Sequence, residues 1–272
     1  MVRIESLHVY PVKSCRGLDL ASAQVTRTGF AHDREWMITT ARRRFMTQRE
    51  EPRLALIVPR LNDRALVLEA PGAGTLEVPF ATDGERREIV VWRDRCPTVD
   101  QGEEAARWLS DYLRKPMRLV RFDAASRRAY ADADRASPED AAMFSDGYAM
   151  LVISRASLSD LNSRLPNALP MNRFRPNVVI DGLAAYGEDD VLELSVAGVR
   201  LRLVKACTRC KITTTNQQTG VVEGDEPLTT LKSYRWDREL RGVAFGQNAI
   251  VVTGAGASLA VGQELRATPR SS

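Results

Sequence analysis

Metal-binding and nucleophilic residues are scarce in this chain. Its 272 residues include two histidines, His8 and His32, and four cysteines, Cys15, Cys96, Cys207 and Cys210. Two histidines cannot build a three-histidine zinc centre. Cys207 and Cys210 form a single C-x-x-C, with no second pair at zinc-ribbon or ferredoxin spacing. H-E-x-x-H, G-x-S-x-G, G-x-G-x-x-G and the P-loop are all missing. That removes the common metalloprotease, serine-hydrolase, dinucleotide and NTPase readings. No apolar run is long enough to span a bilayer. The long uncharged stretch that contains Ala244 to Gln263 is filled with Gly, Thr, Ser and Asn. The opening Met-Val-Arg-Ile-Glu-Ser has no apolar core of a signal peptide, so a cytoplasmic chain with no membrane association is expected. Four cysteines in such a chain are expected to be free thiols.

Lysine is also rare, five residues among 39 bases, so the net charge of +4 rests on arginine. The planar guanidinium fork suits phosphate and carboxylate. A bias this broad also fits genome composition. No block of five like charges occurs, so nucleic acid is not expected as a stable partner. Ala41-Arg42-Arg43-Arg44 lies between apolar runs and reads as an exposed hairpin turn.

With 44% hydrophobic and 27% charged residues the chain is an ordinary globular one. Short strand-like runs dominate it. Val199, Leu201 and Leu203 alternate with Arg200 and Arg202, and Leu76, Val78 and Phe80 alternate likewise. Further strands are expected around Trp36–Ile38, Leu66–Leu68, Ile89–Trp92, Leu119–Val120, Met150–Ile153, Asn177–Ile180 and Ile250–Val252. Helices are expected at Gly102–Lys115 and Ser154–Leu165, and Ser137-Pro-Glu-Asp resembles a helix start. Strands do not alternate regularly with helices, which favours β-barrels over a doubly wound sheet. The polar stretch Asp123–Ser137 lacks a core period and is expected to be a loop or linker. It divides the chain into 1–122 and 123–272.

Three segments can carry chemistry. Lys205-Ala-Cys-Thr-Arg-Cys-Lys follows the clearest strand, and its bases would favour thiolate at Cys207 and Cys210. A thiolate is a nucleophile and a soft metal ligand, but two buried structural cysteines fit the spacing equally well. Tyr10-Pro-Val-Lys-Ser-Cys-Arg-Gly offers an ammonium, a hydroxyl and a guanidinium in one turn, an oxyanion grip or an ordinary surface turn. In Arg173-Phe-Arg-Pro-Asn, Pro176 disposes Arg175 to an extended backbone, so that Arg175 and Asn177 stand at a strand mouth to read a polar ligand or to cap the strand.

Together these pieces resemble a known family. "YPVKSCRG" at 10–17, "DRE" at 33–35, "EPRL" at 51–54, "RFRPN" at 173–177, "CTRCKITT" at 207–214, "EPLTTLKSYR" at 226–235 and "FGQN" at 245–248 are similar to MOSC proteins with an N-terminal MOSC β-barrel, a group that includes YcbX-type proteins and the mitochondrial amidoxime-reducing component. The resemblance implies a mainly β fold with an N-terminal MOSC β-barrel domain over 1–122, a MOSC domain over 123–272, and a cleft between them. It implies a molybdenum cofactor, Mo-molybdopterin, with Cys210 as the catalytic thiolate ligand of the metal. Lys13, Ser14, Arg34 and Arg175 match positions that hold the pterin phosphate and ring, while Asn177, Thr208 and Arg209 match its close neighbours. Cys207 is not expected to ligate, and Cys15 and Cys96 are expected to be structural. Pyridoxal phosphate binding is not expected.

The implied activity is reduction of small N-hydroxylated compounds (amidoximes, hydroxylamines, N-hydroxylated bases), with Asp146 or bound water as the candidate proton relay. A cofactor carrier, or a sulfur carrier using Cys210 as a persulfide site, is the alternative. YcbX-type chains often carry a ferredoxin domain, and no cysteine follows Cys210 here. An external electron donor, a ferredoxin- or flavodoxin-like reductase system, is therefore expected. Asn248 stands where the mitochondrial relatives carry an aromatic residue near the metal.

Overall fold

In a computed structural model, residues 1–80, 83–92, 94–123, 125–126, 128–130 and 141–270 are described. The fold is mainly β, as expected, with three α-helices among these residues. Seven strands close a barrel in the order Met150–Ser154, Val178–Asp181, Val2–Val9, Glu264–Pro269, Val191–Val196, Val199–Thr208 and Gly242–Thr253, the last pairing back onto the first. Leu7, Val9, Val152, Val178, Ile180, Leu201, Leu203, Ala249 and Ile250 fill its core.

The first strand shows how local pattern sets register. Val2 and Ile4 are buried in one phase, Leu7 and Val9 in the other. Period-two alternation cannot satisfy both, so an irregularity between Ile4 and Ser6 in the pairing with Val178–Asp181 resets the phase. This strand lies at the N-terminal end of the sequence yet pairs with Val178–Asp181 and Glu264–Pro269. Strand pairing therefore crosses the sequence division at 122/123. Ser22–Thr26 also pairs across it, with Ser258–Ala260.

Seven further strands of the first half form two sheets. Trp36–Thr40, Met117–Phe122, Asp94–Asp100 and Arg86–Val91 make one, and Val58–Leu61, Ala65–Ala70 and Gly74–Pro79 the other. They share a core of Trp36, Ile38, Leu66, Leu68, Leu76, Val78 and Leu119, which α1 (Gly102–Leu113) joins through Ala105, Leu109 and Leu113. This helix stops two residues short of the expected Lys115, because Arg114 turns left-handed and its N–H caps Ser110 O. The other expected helix is α2 (Arg155–Arg164), where the Ser154 side chain accepts the Ala156 N–H. A seven-residue helix, α3 (Leu228–Tyr234), was not expected; it is too short to show a periodic face. The expected helix start at Ser137 lies outside the described residues.

The stretch from Asp123 is a loop, but its described part is anchored. Arg128 is buried, bonded to Asp94 Oδ2 at 2.8 Å and to the carbonyls of Met143 and Ser145, and Tyr130 enters the barrel core. The basic run at 41–44 is the expected exposed turn: the Arg43 N–H donates to Thr40 O, and the Thr40 N–H to Arg44 O.

Candidate active site

A cavity of about 370 Å³ opens where the barrel meets the first-half sheets, and Lys13, Ser14, Arg34, Arg175, Asn177, Thr208, Arg209 and Cys210 all line it. Every site residue expected from sequence is thus in one cleft. The first three come from the first half, the rest from the second.

One wall holds cations. Tyr10 lies at its centre, buried, its hydroxyl donating to Pro176 O at 2.9 Å. Arg34 and Arg175 each place a guanidinium 4.2 Å from the Tyr10 ring centroid. Arg34 Nη1 donates to Asp33 Oδ2 at 2.5 Å and Asn177 Oδ1 at 2.9 Å, and Nη2 donates to Arg175 O at 3.2 Å. Asp33 is itself fixed by the Tyr10 N–H at 2.8 Å. Arg175 Nη1 donates to Cys15 O at 2.6 Å. Burial brings the Arg175 pKa down to about 10, so it stays charged at neutral pH. Ser14, Arg34 and Arg175 all have left-handed φ values of 66°, 50° and 56°. The extended backbone expected of Arg175 before Pro176 is therefore corrected: its bond to Cys15 O and stacking on Tyr10 outweigh the proline's local preference. Side chains with a Cβ rarely adopt that backbone, and its clustering marks a site whose geometry the surroundings impose.

Asn177 acts mostly as a clamp. Its Oδ1 accepts from Arg34 and the Leu151 N–H, and its Nδ2 donates to His8 O, so it ties the cation wall to two barrel strands. Lys13 is buried, with Nζ donating to Phe144 O at 2.6 Å and Asp146 Oδ1 at 2.5 Å. Burial lowers the ammonium pKa against the opposing pull of Asp146. At Asp146, burial pushes the carboxyl up, but the Lys13 charge and hydrogen bonds from Lys13 and Trp92 prevail and bring it to about 2. Asp146 is thus ionised at neutral pH. A relay through Asp146 would therefore start from the carboxylate, which takes up a proton before passing it on.

The other wall holds thiols. The strand Val199–Thr208 shifts register against Gly242–Thr253 between Leu203 and Lys205 and again between Ala206 and Thr208. Such irregularities re-aim side chains at barrel rims, and Lys205, Cys207 and Thr208 all line the cleft. Cys207 and Cys210 are free and half-buried. Arg209 Nη1 donates to Cys207 Sγ at 3.0 Å and Nη2 to Phe174 O at 2.5 Å. A 3-10 turn, Lys211–Thr214, fixes the Cys210 carbonyl, which accepts from Thr213 N and Oγ1. Arg173 braces that turn through Thr213 O and Glu223. Cys15 and Cys96 are buried instead. Burial lifts both thiols, Cys15 to about 12, which makes them poor nucleophiles.

Sequence reasoning quoted Tyr10 and Asp33 within motifs but gave them no task. It also missed Trp92, whose Nε1 donates to Asp146 Oδ1 at 3.1 Å, and Gln48, which donates to Ser14 O at 2.7 Å. A lone tryptophan in a hairpin turn carries no pattern that would have flagged it.

The lining fits an anionic pterin with a metal. Among the described residues of the lining, five cationic side chains, Lys13, Arg34, Arg175, Lys205 and Arg209, face one carboxylate, Asp146. Arg209 Nε and Ser145 Oγ, both in residues of this lining, are buried without a hydrogen-bond partner among the described residues. Among the described residues no group of three His, Cys, Asp or Glu could hold a metal alone. A soft metal at Cys210 would draw its other donors from a ligand such as a dithiolene.

This cleft, built from a closed barrel and a cationic first-half loop, places the chain in a defined class. The family model for the MOSC N-terminal beta barrel domain matches residues 1–116 and that for the MOSC domain residues 139–266, so the chain belongs to the MOSC proteins with an N-terminal MOSC barrel. It is 38% identical to mitochondrial amidoxime-reducing component 1 of Homo sapiens, over 90% of this chain and 77% of that protein. It is 34% identical to mitochondrial amidoxime reducing component 2 of Bos taurus, over 85% of this chain and 72% of that protein.

Proposed function

We propose that this chain is a molybdenum-cofactor-dependent reductase of N-hydroxylated compounds, amidoximes and hydroxylamines among them. The observation that carries the reading is the convergence of Lys13, Arg34, Arg175 and the Cys207–Cys210 thiols on one cleft. The relatives named for amidoxime reduction support the substrate class. When bound, the cofactor supplies a metal that exchanges two electrons and accepts oxygen.

The chain's own part is positional. Lys13 and Arg175 hold the phosphate by charge-assisted hydrogen bonds. Arg34 is pre-oriented by Asp33 and Asn177, so little freedom is lost on binding. Cys210 supplies the thiolate. Arg209 engages Cys207 and so assigns the neighbouring thiol a protein partner. The Asp146 carboxylate favours the charged form of Lys13 and holds it in place, and solvent is the proton source.

Metal analysis and oxidised-pterin fluorescence of the purified protein, followed by benzamidoxime turnover with reduced methyl viologen, test this reading. Molybdenum, pterin and amidine product are expected together. Bound cofactor without turnover, with transfer of that cofactor to an apo-enzyme, would establish a carrier instead.

A further inference from the structure

Beside the Lys13 lip of the cleft lies an exposed face that the proposed reaction leaves unused. The turn at 41–44 exposes Arg42, Arg43 and Arg44, and Arg49 is exposed nearby in sequence. Trp92, 47% exposed, stands between the strands Arg86–Val91 and Asp94–Asp100 with φ at 58°. A bulky residue keeps that backbone only where its surroundings hold it. Here the Arg49 guanidinium stacks 4.8 Å from the ring, Phe45 meets it edge-on at 5.2 Å, and its Nε1 donates to Asp146. Arg44 bridges to Val90, itself 46% exposed, and pairs with Glu50 at 2.5 Å. The result is a pre-ordered aromatic centre with Arg49 on its ring, next to a strand edge where Arg44 bridges to Val90 and from which the exposed turn of Arg42 and Arg43 extends.

We propose that this face docks an acidic electron-transfer protein; the proposal rests on the reading of the chain as a reductase. Three observations favour that occupant. The charge is of one predominant sign, which steers an acidic partner. A half-buried tryptophan with an arginine on its ring has the composition of an interface hot spot. Asp146, under Trp92, lines the cleft and pairs with Lys13, so a partner seated here abuts the wall proposed to hold the cofactor. Trp92 is also packed on two sides rather than projecting, which suits a facing protein more than an acyl layer. In the balanced reaction, partners carrying one-electron centres are oxidised in turn. Two electrons and two protons convert N–OH to N–H and water.

The test is titration of the full chain with an acidic [2Fe–2S] ferredoxin by calorimetry at low salt. The variant R42E/R43E changes only exposed side chains. Its Kd is expected to rise about tenfold or more, with the difference shrinking as salt is added. The control R107E/R114E makes the same charge change at α1, which packs on the opposite face of that sheet through Leu109 and Leu113. It is expected to leave Kd within about twofold. Equal weakening in both variants, or no ferredoxin binding by the parent chain, overturns the proposal. So does binding that depends on Arg42 and Arg43 but is made to phosphatidylglycerol vesicles and not to ferredoxin. Benzamidoxime turnover with reduced methyl viologen is read separately. Its absence in the parent chain counts against the reductase reading, whereas its persistence in R42E/R43E alongside weakened ferredoxin binding separates docking from chemistry.

Discussion

The two walls of the cleft are built on different principles. The cation wall is over-determined: Arg34 has three hydrogen-bond partners and a ring beneath it, Asn177 is engaged at both ends of its amide, and Arg175 is buried and tied to Cys15 O. The thiol wall is a strand rim loosened by two register shifts, and its cysteines are half-buried. A rigid wall suits recognition, because its donors are ordered before the ligand arrives. A less encumbered wall suits bonding to a metal, because a thiolate must be reachable.

That contrast can be broken at either wall. The largest expected effect is at Cys210: Cys210→Ala takes reductase turnover per bound pterin to background, since the other thiol of the cleft, Cys207, is engaged by Arg209. Next is Arg175→Ala, which removes a charge-assisted contact of about 1.5–3 kcal/mol and lowers cofactor affinity roughly 10- to 100-fold. Molybdenum content after gel filtration reads that loss, and circular dichroism checks that the fold survives. Cys207→Ala is expected to keep most turnover at equal pterin loading. Equal loss in the two cysteine variants would make the pair a redox dithiol and erase the distinction between ligand and neighbour.

The smallest effect concerns acid. The Asp146 carboxyl sits at about 2 in the folded chain against about 3.9 for an unperturbed aspartate. A depressed carboxyl contributes stability that is fully present above the unfolded value and lost as pH falls from about 4 toward 2. Asp146 is about half-exposed, so solvent screening keeps this below roughly 1 kcal/mol. Asp146→Asn should flatten the urea-midpoint profile across that acid range. It should leave the neutral-pH dependence of turnover unchanged; a lost acid limb near neutrality would make Asp146 part of the proton relay.

The strands were legible where alternation was clean, as at Val199–Leu203, because burial of one face imposes period two. The irregularities that shape the thiol rim were not, since a register shift depends on the partner strand. Arg128 and Tyr130 look like loop residues because their burial depends on Asp94 and on carbonyls far along the chain. The site residues were legible because they cluster in short segments at strand mouths. Their proposed tasks came from family resemblance, and the spacing of Cys207 and Cys210 by itself fits a structural pair as well as a ligand.

The first strand has a consequence for how the molecule is made. Val2–Val9 hydrogen-bonds to Glu264–Pro269, so the first strand waits for some of the most distant residues in this sequence before the barrel can close. Contacts of such wide sequence separation carry a high contact order and slow folding. During translation the emerging first strand presents unpaired edges, the kind of surface that chaperones shield and that invites aggregation when synthesis is fast. A polypeptide released at any point before residue 264 lacks that pairing partner and leaves the edge of the first strand open.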